Sequence, residues 1–130
     1  MKIKTLAPLI LLGLIFTQLV NGQDTTGSAI SQQKFKKLVK KKNSVVIDVR
    51  TPEEYRAGFI ASATNLNVMD SLSFLNTTAT FDKNKTYLLY CQSSRRSGKA
   101  LVMMKNMGFQ NIRHLKGGIT EWKGKLKKPS

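Results

Sequence analysis

The apolar run Tyr87-Leu88-Leu89-Tyr90 stops at Cys91, passes through the polar stretch Gln92-Ser93-Ser94-Arg95-Arg96-Ser97, and resumes as Gly98-Lys99-Ala100-Leu101-Val102-Met103-Met104. That order reads as strand, tight loop and helix, the repeating unit of a parallel sheet. Loop N–H groups between a strand end and a helix N-terminus converge on whatever sits at the loop's mouth, and they favour negative charge there. Arg95 and Arg96 add two cations to that cradle. Cys91 is the single cysteine of the chain and occupies the mouth, so the loop is expected to hold a thiolate, with Cys91 as the candidate nucleophile. Free cysteine is also a common core residue, but two arginines and three serines within the next six positions are poor surroundings for an inert thiol.

Short apolar runs and amphipathic segments alternate along the rest of the chain. Strands are expected at 45–48, near 64–66, at 87–90 and at 112–115. Helices are expected from Ser31 to about Lys41, near 52–57, around 70–75, from 97 to 106, and over 119–122. Ser31 is a good cap for the first helix, where Phe35, Leu38 and Val39 recur at helical spacing between lysines. Thr51 caps the second, with Pro52 at its first position and Glu53 and Glu54 at the positive end of its dipole. Parallel strands need crossover connections, so the class is α/β: a central parallel sheet with helices on both faces, and a site at the carboxyl end of a strand. A chain of 130 residues holds one such core. The domain is placed at residues 30–123, after a flexible polar tether at 23–29 and before a basic tail at 124–130. Met103, Met104 and Met107 sit at helical spacing and read as core packing, as does Trp122.

Four residues separate Cys91 from Arg96. Protein tyrosine phosphatases use one more and enclose a tetrahedral phosphate; a tighter ring suits a terminal sulfur. The segment resembles the active-site loop of the rhodanese family of sulfurtransferases. Asp48-Val49-Arg50, after Val45-Val46-Ile47, is similar to that family's first-strand signature, and Thr51-Pro52-Glu53-Glu54-Tyr55 to the helix start that follows. Gly58-Phe59-Ile60 occupies the place of a Gly-His-Ile segment, with phenylalanine for histidine. Gly117-Gly118-Ile119-Thr120-Glu121-Trp122 matches the closing Gly-Gly-x-x-x-Trp pattern. The resemblance runs from about Ile30 to Trp122. Ser94 stands where many active members carry glycine, which adopts positive φ at little cost.

The resemblance implies a rhodanese-like fold and a double displacement through a covalent intermediate. Cys91 thiolate attacks the outer sulfur of a small anionic donor such as thiosulfate, sulfite departs, and a persulfide remains. Cyanide or a thiol, including a thiol on a protein, then accepts that sulfur. Backbone N–H groups from Gln92 to Arg96 would stabilise the anionic persulfide, with Ser93 and Ser94 among them. Arg96 would brace the loop beside Ser97, and Arg95 would attract the donor. Asp48 and Arg50 are implied to be an ion-paired support beneath the site. No metal or organic cofactor is implied. His114, the single histidine, reads as a strand filler, since a preformed thiolate needs no general base. A reading from another class keeps the fold as a non-catalytic module that binds an anion or a protein partner.

Lys2 and Lys4 precede an apolar stretch from Leu6 to Phe16, and Val20-Asn21-Gly22 supplies small residues for cleavage, the pattern of a secretory signal peptide over residues 1–22. The stretch is shorter than the ~20 residues of a spanning helix, so no stable membrane anchor is expected. The product would be periplasmic or secreted. A lone cysteine excludes an intramolecular disulfide and a Cys-x-x-Cys redox pair. The formal charge of +15 is scattered over helices and tail without interleaved aromatics, so it reads as solvated surface and weak anion steering rather than a nucleic-acid interface. Asn76-Thr77-Thr78 and Asn84-Lys85-Thr86 fit a glycosylation pattern that matters only in a eukaryotic host.

Overall fold

The computed structural model describes residues 28–130. In chain order these form β1 (Ala29–Ile30), α1 (Gln32–Val39), β2 (Ser44–Asp48), α2 (Pro52–Ala57), β3 (Phe59–Ile60), β4 (Thr64–Asn65), α3 (Ser71–Thr78), β5 (Thr86–Tyr90), α4 (Arg95–Asn106), β6 (Ile112–Leu115), a 3-10 turn at Ile119–Glu121, and β7 (Leu126–Lys127). Five strands make one parallel sheet in the order β1-β6-β5-β2-β4. β5, the strand that delivers Cys91, is therefore central.

Both faces of that sheet are covered, and successive residues of the central strands serve opposite layers. Val46, Leu88, Tyr90 and Leu115 pack with Phe35 of α1 and with Tyr55 and Trp122. Ile47, Leu89 and Ile112 pack with Phe74 of α3 and with Leu101 and Met104 of α4. Trp122 meets the Phe35 ring edge-on at 6.0 Å, which makes it a packing residue. Met103 and Met107 flank the second layer as expected of helical core residues.

The helix starts follow their caps. Ser31 Oγ accepts from the Lys34 N–H, and Thr51 and Glu54 form a reciprocal capping box at α2. Two expectations change. Ala29, expected to end the tether, pairs with His114 in β1, beside a buried Ser28 that receives a hydrogen bond from Lys105 Nζ at 2.9 Å. The expected basic tail turns back as β7, antiparallel to β3, with Leu126 against Gly58. Two-residue strands are too short to leave a readable period in sequence. The proposed signal peptide over 1–22 and the rest of the tether lie outside the described residues.

Candidate active site

Cys91 follows β5 directly and is 1% exposed. Its sulfur is the focus of the loop. The Ser94 N–H donates to Sγ at 3.1 Å and the Ser97 N–H at 3.3 Å, while the thiol lies 3.5 Å from Ser97 Oγ, to which it donates. Ser94 reaches this position because its φ is +85°, the left-handed region, just before α4 begins. That is where glycine would be comfortable, and Ser94 takes the conformation with a side chain attached; its Oγ folds back onto the Ser93 carbonyl. The first turn of α4 thus presents its N-terminal dipole to the sulfur. The donors to Sγ itself are the Ser94 amide, from within the expected run Gln92 to Arg96, and the Ser97 amide just beyond it.

The other loop residues hold the cradle in place. Gln92 is exposed; its carbonyl accepts from the Thr120 N–H at 3.1 Å and the Thr120 hydroxyl at 2.7 Å, and the Cys91 carbonyl accepts from the Ile119 N–H at 2.9 Å. This backing strip is the Gly117-Gly118 turn. A Cβ on Gly118 would fall 2.5 Å from the Gln92 carbonyl group, at a φ of +62°, so only glycine lets the two backbones meet this closely.

Arg96 does not curl around the sulfur. It forms a two-pronged pair with Glu54 of α2, Nη1 to Oε1 at 2.6 Å and Nη2 to Oε2 at 2.8 Å, and so ties the loop to the capping box of that helix. The Arg96 guanidinium holds the Glu54 carboxyl down at about 2, with the Thr51 backbone and hydroxyl adding to the effect against the opposing cost of burial. Arg95, Lys99, Ser93, Arg96 and Met69 line an opening of about 520 Å³ at the mouth. Among the described residues neither Arg95 nor Lys99 takes part in an ion pair, which leaves two cations for an incoming anion.

Asp48 and Arg50 lie below, at the end of β2. Arg50 Nη2 and Nε bond Asp48 at 2.7 to 3.1 Å, the Arg50 N–H adds a bond to Asp48 Oδ1 at 2.9 Å, and Nη2 also reaches the Gly58 carbonyl at 2.7 Å. Both side chains are buried and taken up by each other. The Arg50 guanidinium lies over the Tyr90 ring. Burial first, and Asp48 beside it, hold the Tyr90 hydroxyl well above its ordinary value; that hydroxyl accepts from the Ile60 N–H. Phe59 is used in packing: it stacks on Tyr55 with ring centres 4.3 Å apart.

One neighbour was not anticipated. His114 Nδ1 sits 2.8 Å from Ser97 Oγ, the same hydroxyl that contacts the thiol. His114 stands 17 residues from Ser97 in a different element, so no local motif links them; the parallel pairing of β6 beside β5 brings them together.

The family model of the rhodanese-like domain matches residues 31–125. Protein YqhL of Bacillus subtilis is 39% identical over 82 residues, covering 63% of this chain and 63% of its own length. The tRNA uridine(34) hydroxylase of Pelagibacter ubique is 29% identical over 109 residues, which is 84% of this chain but only 36% of the hydroxylase. The chain thus spans less than two thirds of these relatives. A rhodanese-like domain protein from Staphylococcus aureus superposes with a TM-score of 0.67 at 29% identity, covering 79% of this chain and 99% of that one. The human single-domain sulfurtransferase TSTD1 shares the fold, with a TM-score of 0.64 at 24% identity over 73% of this chain and 94% of that one.

Proposed function

The chain belongs to the rhodanese-like domain family, and from that membership we propose that it is a sulfurtransferase that carries sulfane sulfur as a persulfide on Cys91. The observation that supports this reading most is the pair of N–H groups, Ser94 and Ser97, aimed at Cys91 Sγ from the start of α4. Such donors, fixed before reaction, stabilise an anionic sulfur without reorganising when charge develops.

In the proposed cycle a donor such as thiosulfate is drawn to Arg95 and Lys99 at the mouth. The Cys91 sulfur attacks the donor's terminal sulfur, the S–S bond of the donor breaks, and sulfite leaves with the bonding pair. Cys91 now bears one extra sulfur. A thiolate or cyanide attacks that outer sulfur and returns Cys91 as thiolate, forming a thiol persulfide or thiocyanate. Cys91 is nearly covered, so a slender terminal sulfur fits the approach better than a bulky phosphate ester. Arg96 acts by holding the loop to Glu54, and Asp48 with Arg50 by supporting the strand end. The lysine-flanked apolar stretch in residues 1–22 supports export, which N-terminal sequencing of protein recovered outside the cytoplasm tests by a new start at Gln23.

The activity is tested by following thiocyanate release from thiosulfate and cyanide. Turnover by the wild type that falls at least a thousandfold in Cys91→Ser is the expected result. Saturable thiosulfate binding without turnover, unchanged in Cys91→Ser, would move the protein to the binding-module class instead.

A further inference from the structure

Cys91, Ser97 and His114 are 1%, 0% and 5% exposed, and their polar atoms are strung in one line: Cys91 Sγ to Ser97 Oγ at 3.5 Å, Ser97 Oγ to His114 Nδ1 at 2.8 Å. At its far end the line stops at His114 Nε2, which is buried and has no hydrogen-bond partner among the described residues. The ring borders a groove of about 590 Å³ beside the loop, on whose wall Ser94, Arg95, Gly98 and Lys99 also lie; Ser93, Arg95 and Lys99 are shared with the opening at the mouth. Gly98 has no side chain to cover the ring: a Cβ there would touch His114 Cε1 at 3.5 Å.

We propose that His114 is a positioning residue that takes the Cys91 thiol proton through Ser97 and releases it from Nε2 toward this groove. The proposal rests on the reading of Cys91 as a nucleophile that reacts as its thiolate. Ser97 Oγ has two acceptors in reach, His114 Nδ1 at 2.8 Å and the Ser94 carbonyl at 3.1 Å; in the starting state Nε2 carries the ring proton, Ser97 O–H donates to the nearer Nδ1, and the thiol donates to Ser97 Oγ. The thiol proton passes to Ser97 Oγ as the hydroxyl proton passes to Nδ1, leaving thiolate, neutral serine and imidazolium. Nε2 is itself covered, so its proton leaves when a water enters from the groove past Gly98, where no side chain shields the ring. The ring is left neutral with its proton on Nδ1, donating to Ser97 Oγ, and the freed hydroxyl turns its hydrogen to the sulfur as a third donor beside the Ser94 and Ser97 amides. One proton leaves, one negative charge stays on sulfur, and no electron moves.

The surroundings suit a histidine that passes the proton on. Burial pushes its imidazole below the ordinary value. From α4 the groove receives Arg95 and Lys99, both cationic; β1 and β5 place Ala29 and Leu89 opposite His114, neither of which titrates; the loop contributes Ser93 and Ser94, and Cys91 faces His114 only through Ser97. Among the described residues no carboxylate lines the groove to retain an imidazolium.

The test is the pH dependence of Cys91 alkylation by iodoacetamide in the full chain, with His114→Asn and Ser97→Ala as variants. Asparagine can keep a hydrogen bond to Ser97 but cannot carry the proton. Both variants are expected to move the alkylation midpoint up by about one unit, which is about tenfold slower alkylation below the wild-type midpoint. In the wild type, the imidazole nitrogen NMR signals should switch from the Nε2–H to the Nδ1–H form across that midpoint, and Cys91→Ala should abolish the switch. A midpoint unchanged in His114→Asn overturns the proposal. Should that variant fail to fold, a wild-type imidazole that keeps one tautomer throughout overturns it equally. Alkylation needs no sulfur donor, so a shifted midpoint in a protein that never accepts sulfur would reject the sulfurtransferase reading and leave the proton route standing.

Discussion

Two arginine–carboxylate pairs bracket the cysteine loop, and they differ in depth. Asp48–Arg50, under the strand end, has side chains 0% and 5% exposed; Glu54–Arg96, at the loop's rim, has side chains 32% and 24% exposed. Below, the charges have no water to fall back on, and each is committed to the other and to the backbone. At the rim, water screens the pair, and its work is to hold the loop to α2. The floor therefore sets whether the domain folds, and the rim sets how firmly the loop is held once it has folded.

The largest expected effect breaks the floor. Asp48→Asn strands a buried guanidinium and should cost about 3–5 kcal/mol in denaturant unfolding. The double substitution Asp48→Leu with Arg50→Met should recover at least half of that loss, because removing both charges also removes the desolvation problem; a double variant as unstable as the single would show that the Arg50 bond to the Gly58 carbonyl, not the ion pair, carries the floor.

A smaller effect is expected at the rim, where Glu54→Gln should cost about 1 kcal/mol, since a partly exposed pair is screened. Its signature is in pH. The Glu54 carboxyl is held at about 2 against an ordinary 4.5, so its contribution is fully present above 4.5 and is lost as pH falls from there toward 2. Stability measured between pH 6 and 2 should fall less steeply in Glu54→Gln than in the wild type. Parallel curves would mean that the acid sensitivity comes from elsewhere.

The smallest effect sharpens the picture of the loop itself. Ser94 holds a φ of +85° that costs a non-glycine residue about 1–2 kcal/mol, partly offset by the extra freedom glycine brings to the unfolded chain. Ser94→Gly should therefore stabilise the domain by about 0.5 kcal/mol while keeping the amide that points at sulfur. A loss of stability would show that the Ser94 side chain contributes more than its conformation costs.

What could be read from the residues was local. The strand, loop and helix around Cys91, the Thr51 cap with Pro52 and Glu54, and the Gly117-Gly118 turn are each written in a few consecutive residues, and each stands where expected. The covering of both sheet faces followed from apolar runs alternating with amphipathic segments, because parallel strands need crossover connections. The unread parts join distant positions. Glu54 reaches Arg96 across 42 residues and Ser97 reaches His114 across 17, and such pairings leave no period or motif. β1, β3 and β7 are two residues each, so they exist through their partners rather than through their own sequence.

The central claim is that the cradle made by Ser94 and Ser97 loads sulfur onto Cys91, and intact mass measured after incubation with thiosulfate tests it most directly. The account predicts a gain of one sulfur atom on the wild type, removed by cyanide and absent from Cys91→Ser. An unchanged mass on protein whose Cys91 remains free and alkylatable, with other sulfane donors tried as well, would contradict it.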